Sequence, residues 1–217
     1  MVKDWLLKIL FFKTLPSTQL YLKELLKVKK ESLPLAVVAD IQTDGIGSRN
    51  NSWISEKGNL FLSFSLPLKD LPIDLKLESA SIYFSFLLKE SLESLGSKVF
   101  LKWPNDLYID NAKVGGMITT VVNNNLICGV GLNLIKKTDN FAKLDIDISR
   151  EEILDNYLIN IEKKSPWKQV FSKYKLDFQI NQKFFTHINK NRVSLSGAVL
   201  ENDGSLTING ERIYSLR

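Results

Sequence analysis

Three short segments of this chain gather residue types that handle anions. The first is Gln42-Thr43-Asp44-Gly45-Ile46-Gly47-Ser48-Arg49-Asn50-Asn51-Ser52-Trp53. Glycines one residue apart let a backbone turn sharply and present successive N–H groups, a cradle for a carboxylate or a phosphate. Arg49 adds a cation, and Trp53 adds a flat surface able to cover a purine. Taken alone, such a loop is weak evidence and reads first as plain surface. The second segment is Lys102-Trp103-Pro104-Asn105-Asp106, followed by Lys113-Val114-Gly115-Gly116. Lysine, asparagine and aspartate within five positions after a strand can converge on one polar ligand. A lysine suits phosphate oxygens as a mobile point charge, and an aspartate can hold Mg2+. The other reading is a Trp-Pro core anchor with surface charges. The third is Gly129-Val130-Gly131-Leu132-Asn133-Leu134, where alternate glycines strip one face of an apolar strand. That admits a ligand or a closely packed backbone.

Composition narrows the field. The chain has 217 residues, 44% hydrophobic and 24% charged, enough for one main domain with a real core. No apolar run has the length of about 18–20 residues that a membrane span needs. Residues 1–13 are amphipathic and carry Lys3, Lys8 and Lys13, unlike a signal peptide. One cysteine, Cys128, excludes an intramolecular disulfide framework, and the cytoplasm is the expected compartment. One histidine, His187, cannot build a histidine-based zinc site and is read as structural. A net charge of +5 fits a lysine-rich surface or an anionic partner and does not choose between them.

These segments need elements to hold them. Residues 5–13 read as a strand, and Ser17 is placed to cap a helix carrying Leu22, Leu25 and Leu26. Residues 35–41 and 59–66 read as strands flanking the first segment. Residues 74–95 repeat Leu77, Phe84, Leu88, Leu92 and Leu95 at helical spacing, with Gly96 as the stop. Residues 98–102 return as a strand, and 113–135 form a hairpin turning at Asn123-Asn124-Asn125. Ser149 and Glu152 make a capping-box pattern, and Ser165-Pro166 opens a further helix with Trp167, Val170, Phe171, Tyr174 and Phe178 on one face. After residue 180 the period becomes 2, punctuated by Asn202-Asp203-Gly204 and Asn209-Gly210. The division expected is 1–180 as the main domain and 181–217 as a small β-domain leaning on it.

In this order, the three segments resemble those of biotin–protein ligases. Lys102 to Gly116 (KWPNDLYIDNAKVGG) is the most specific piece. Ser17-Thr18-Gln19 resembles the family's Ser-Thr-Asn, Gly58 to Ser63 its strand after the nucleotide loop, Gly129 to Asn133 its GxGxN, and Glu211 to Arg217 its end. The resemblance implies an α/β fold: a mixed-sheet catalytic domain related to lipoate ligases and class II synthetases, then an SH3-like barrel. It implies biotin and ATP as substrates, Mg2+, and transfer from biotinyl-AMP to a lysine of a biotin carboxyl carrier protein. Ser17, Thr18, Gln19 and Gln42 would hold the ureido ring. Backbone at Ile46, Gly47 and Ser48, with Lys113, Gly115 and Gly116, would hold the rest of biotin. Gly45, Arg49, Trp53, Lys102, Asn105 and Asn133 would bind the nucleotide, with Lys113, Asp106 and Lys102 catalytic and Asp106 on Mg2+.

Two departures stand out. Gln19 replaces the usual asparagine, and the family's GRGRxGRxW loop has lost three arginines, to Ile46, Ser48 and Asn51. A lipoate ligase and a catalytically weak adenylate-binding module are the competing readings. About sixteen residues precede Ser17, too few for a helix-turn-helix, so specific DNA binding is not expected. A homodimer is left open.

Overall fold

The computed structural model describes residues 7–28, 34–48, 51–53, 55–135, 142–188 and 191–214. Its spine is a seven-stranded sheet in the order β1-β2-β5-β9-β8-β7-β6. The strands are β1 (Lys8–Leu15), β2 (Leu35–Gln42), β5 (Leu60–Pro67), β6 (Phe100–Lys102), β7 (Asp106–Ile109), β8 (Ala112–Val122) and β9 (Asn125–Leu132). β1 and β2 run parallel and the other neighbours antiparallel, so the sheet is mixed. Two residues each, β3 (Gly45–Ile46) and β4 (Ser52–Trp53), pair into a small hairpin beside it.

The period of 2 sorts side chains onto two faces. In β2, Ala36 and Val38 join the large cluster under α2 (Ala80–Ser94), α3 (Arg150–Glu162) and α4 (Trp167–Asp177). Leu35, Val37 and Ala39 face the other way, into a smaller cluster with Leu22 and Leu26 of α1 (Thr18–Val28). With both faces covered, the middle strands are buried throughout, as in β5. Helix α2 lies between the sheet and the other helices, and most of its residues are buried, including Ser81, Ser85 and Lys89. Lys89 is tolerated there because Asp177 (2.6 Å) and Glu93 (3.0 Å) pair its ammonium, outweighing burial and raising its pKa.

Several sequence expectations shift by a turn or gain an element. Helix α2 starts at Ala80 rather than near residue 74. The Asp74 carboxylate instead accepts from the N–H groups of Trp167 (2.9 Å) and Lys168 (3.0 Å), capping α4 from outside. Leu77 therefore falls in a 3-10 turn and is exposed. Strand β7 and its turn at Asp110 (φ 51°) went unread, as did the β3–β4 pair. The Asn123-Asn124 turn forms as expected, with φ of 46° and 60°. Ser149 caps α3 by accepting from Glu152 N at 3.2 Å.

The C-terminal strands form two ladders. One pairs β10 (Phe185–Ile188), which carries His187, with β11 (Asn191–Ser194). The other joins β12 (Val199–Leu200), β13 (Leu206–Ile208) and β14 (Glu211–Ile213), turning at Asn209-Gly210 as expected. Leu195, Leu200, Leu206 and Ile208 belong to the same apolar cluster as α2 and α4, so this β-unit leans on the main core. Among the described residues, no helix is long and apolar enough to cross a membrane.

Candidate functional site

Helix α1 covers its face of the sheet only from Thr18 onward. Beyond its N-terminus, β9 continues the row of Ile127 with Gly129 and Gly131, and the sheet floor is left open. The β3–β4 hairpin folds over that floor. The result is a cavity of about 310 Å³ with two chemically different ends.

One end is polar and neutral. Gln42 Oε1 accepts from Thr18 N (2.8 Å) and Thr18 Oγ1 (3.1 Å). Thr18 Oγ1 also lies 2.9 Å from Ser63 Oγ, which in turn donates to Gln19 Oε1 (3.2 Å). Those are three side-chain oxygen contacts served by two hydroxyl protons, one each from Thr18 and Ser63. The set is one donor short in this orientation. Ser17 Oγ accepts from Leu20 N (3.4 Å), while its own proton has no acceptor among the described residues. Rotating the Gln19 carboxamide would let Nε2 donate to Ser63, so Gln19 can serve the network with or without a ligand.

The other end is charged. Lys113 Nζ lies 2.6 Å from Asp106 Oδ1 and 5.5 Å from the centre of the Trp53 ring. Lys102 Nζ approaches the second carboxylate oxygen of Asp106 at 3.9 Å and sits over the Tyr108 ring. Burial, and then Asp106, push the Tyr108 hydroxyl up to about 12, so it stays protonated. Asn105 donates to the Met117 carbonyl, and Met117 N returns a bond to Asn105 O (3.0 Å). Among the described residues, two buried polar atoms at this end find no partner: the Asn105 Oδ1 acceptor and the Trp53 Nε1 donor. Buried groups of this kind normally find a partner, so they mark where a ligand's polar groups belong.

The glycines make room for these side chains. A Cβ on Gly116 would press on Lys113 Nζ and Asp106 Oδ1 at 3.2 and 3.3 Å. One on Gly129 would meet Gln19 Oε1 at 2.5 Å, and one on Gly131 would collide with the Trp53 indole. The sequence reading left those gaps for a ligand or a packed backbone. The site's own side chains occupy them.

Most of the expected residues converge here. Ser17, Thr18, Gln19, Gln42, Ile46, Gly47 and Ser48 reach the cavity, as do Trp53, Asn105, Asp106, Lys113, Gly116 and Asn133. Three described ones are not part of its wall. Gly45 packs under Trp53 O and Gln42, Gly115 faces Leu132 and Leu107, and Lys102 stands behind Asp106. Arg49 lies outside the described residues. Ser63, Asn59, Glu56 and Ile118 line the cavity without having been singled out. Ser63 and Asn59 did leave a signal, since polar residues in a strand as apolar as NLFLSFSL require polar partners. Asn59 finds them in Leu134 N (2.8 Å), Ile135 N (3.0 Å) and Asn133.

Asp106 does not fit as a direct Mg2+ ligand in this arrangement. Both its oxygens face ammonium groups, and among the described residues no three His, Cys, Asp or Glu side chains cluster to hold a metal. The chemistry below therefore rests on Lys113.

Residues 11–134 match the biotin/lipoate A/B protein ligase family. The structure resembles the biotin acetyl coenzyme A carboxylase synthetase of Helicobacter pylori, solved with biotinylated ATP, at 40% identity and a TM-score of 0.91, covering 96% of this chain and 99% of that one. The Aquifex aeolicus biotin protein ligase, solved with biotin and ATP, shares the fold at 24% identity and a TM-score of 0.77, over 97% and 96% of the two chains. Among curated relatives, biotin–protein ligase 1 (chloroplastic) of Arabidopsis thaliana is 37% identical over 105 residues, which is 45% of this chain and 29% of that protein. The bifunctional ligase/repressor BirA of Escherichia coli is 32% identical over 106 residues, 46% of this chain and 32% of that protein. The match thus spans about a third or less of these curated relatives' length. By sequence and fold, the chain belongs to the biotin/lipoate A/B protein ligase family.

Proposed function

We propose that this chain activates biotin with ATP as biotinyl-AMP and transfers it to a lysine of a biotin carboxyl carrier protein. The observation that carries this reading is the uncharged wall of hydroxyls and carboxamides at the neutral end, from Ser17, Thr18, Gln19, Gln42 and Ser63. A cyclic urea can donate its N–H groups to the side-chain oxygens of this wall and offer its carbonyl oxygen to the Ser17 hydroxyl. The dithiolane of lipoate offers neither an N–H donor nor a carbonyl acceptor, which favours biotin over lipoate within the family.

In the first step a biotin carboxylate oxygen attacks the α-phosphorus of ATP, and pyrophosphate leaves with the electrons of the broken P–O bond. Two anions must meet, and Lys113 is the cation at their meeting point. Before substrates arrive it is held by Asp106 and steadied against Trp53. Substrate oxygens then compete for the ammonium, so it is positioned in advance. In the second step the neutral amine of the carrier lysine attacks the mixed-anhydride carbonyl, and AMP leaves. Trp53, with its unpartnered Nε1–H, is the residue for the nucleotide side.

The same reading assigns residues 1–180 to catalysis, 181–217 to an SH3-like unit, and the reaction to the cytoplasm. Pyrophosphate exchange into ATP, measured with biotin and with lipoate, tests it. Biotin-dependent exchange followed by biotinylation of a carrier domain is expected. Lipoate-dependent exchange, or none, overturns the proposal.

A further inference from the structure

The turn Asn202-Asp203-Gly204 in the C-terminal β-unit is held in an unusual way. Three consecutive carbonyls each accept from a side chain of the main core. Trp167 Nε1 donates to Asn202 O (2.9 Å), Ser79 Oγ to Asp203 O (2.6 Å) and Trp103 Nε1 to Gly204 O (2.8 Å). The turn is itself stiff. The Asp203 carboxylate accepts from Ser205 N (3.0 Å), Ser205 Oγ (2.6 Å) and Arg212 Nη2 (2.8 Å). Gly204 has φ +79°, and a Cβ there would lie 2.6 Å from Ile82 Cδ1. Only glycine lets the carbonyl come this close.

Of the three donors, Trp103 alone belongs to the segment that carries the charged end of the cavity. It is buried and does not line the cavity. Its backbone is clamped as well. Asn181, fully buried, accepts from Trp103 N (2.6 Å) and donates to Leu101 O (3.0 Å), gripping the chain on both sides of Lys102. Two residues after Trp103, Asn105 is locked to Met117, and Asp106 holds Lys113. The path from turn to reactive ammonium is therefore continuous: Gly204 O, the Trp103 indole, the 103–106 backbone, Asp106, Lys113.

We infer that Trp103 is a positioning residue, through which the Asn202–Gly204 turn, with Asn181, sets the placement of Asn105, Asp106 and Lys113 for adenylate formation. This rests on the activity proposed above. The neutral end of the cavity is built on Thr18, Gln42 and Ser63 and lies outside this path.

Three single variants isolate the effect. Ser79→Ala, Trp167→Phe and Trp103→Phe each remove one hydrogen bond to the same turn, and the two tryptophan variants also lose part of a buried indole. Melting temperatures should fall in all three, by similar amounts in the two tryptophan variants and by less in Ser79→Ala. Trp103→Phe alone should lower kcat for biotin-dependent pyrophosphate exchange, by on the order of tenfold or more for a displaced reacting group, with biotin Kd unchanged. It alone should also speed hydrogen exchange at the Met117 amide, which donates to Asn105 O. If kcat and Met117 exchange in Trp103→Phe match those of the other two variants, the indole is only a core anchor and the inference is wrong. Wild-type protein without biotin-dependent exchange would sink the activity instead. The Met117 amide would still decide whether the turn positions the segment.

Discussion

The two ends of the cavity solve opposite problems. The neutral end is fixed by hydrogen bonds among uncharged groups that are mostly buried, with Thr18 at 3% exposure and Ser63 at none. Little has to move there when a ligand enters. The charged end holds ions already paired with each other, and Lys113 leaves 36% of its side chain exposed. Its partner must be exchanged for substrate oxygens during the reaction. Recognition is thus built into a preformed wall, and reactivity into an ion pair that can be broken. Damage at one end should weaken binding of biotin, and damage at the other should slow chemistry.

The largest expected effect comes from Lys113→Ala. Two charge-assisted contacts at roughly 1.5–3 kcal/mol each correspond to about a hundredfold or more in rate. Adenylate formation should fall by that factor, and biotin binding, by titration calorimetry, should weaken by a smaller one. Wild-type adenylation in this variant would remove Lys113 from the mechanism. Thr18→Val should do the reverse. It keeps the shape but deletes the hydroxyl shared by Gln42 and Ser63. An unpaired polar group costs about 1–3 kcal/mol, so biotin affinity should fall by roughly tenfold to a hundredfold, with a smaller change in kcat at saturating biotin. A kcat loss at unchanged affinity would erase the division between the ends.

Trp53→Ala probes the seam. The indole fills the trough above Gly131 and lies beside Lys113. By analogy with base stacking at about 1–3 kcal/mol, ATP affinity should drop by roughly tenfold, and biotin affinity should change less. Equal losses for both ligands would make Trp53 a structural lid.

Parts of this arrangement are legible in sequence because they are local. KWPND, the paired glycines and the Asn-rich turn each announce themselves within a few residues, and the strands around them follow from simple apolar runs. What was not legible depends on partners far along the chain. Nothing near Asp74 says that its carboxylate caps a helix at Trp167, which is why α2 starts late. Nothing near Gly129 says that Gln19 will fill its gap. Lys102 sits in the most recognisable motif and still ends behind Asp106, because the β6–β7 register sets it directly across from Asp106, which takes the place in the cavity wall. Ser63 and Asn59 stand out as polar residues in an apolar run, but the partners that give them their roles, Thr18, Gln19 and Asn133, lie far away along the chain.

The smallest expected effect tests how closed the neutral end is. Cys128 precedes Gly129 in β9, and its thiol points away from the cavity into the large core cluster. Complete burial pushes the thiol well above its usual pKa. Alkylation and disulfide exchange need the thiolate, so both the protonated state and the lack of access protect it. The native protein should therefore take up no measurable iodoacetamide at pH 8 over an hour. In denaturant it should take up one equivalent, from its single cysteine. Because reaction in the native protein requires the sheet behind the cavity to open, the residual labelling rate reads that opening. If the neutral end is preformed, saturating biotin should leave an already negligible rate negligible. Rapid labelling that biotin suppresses would show that the wall is assembled by the ligand, and the contrast with the charged end would then fail.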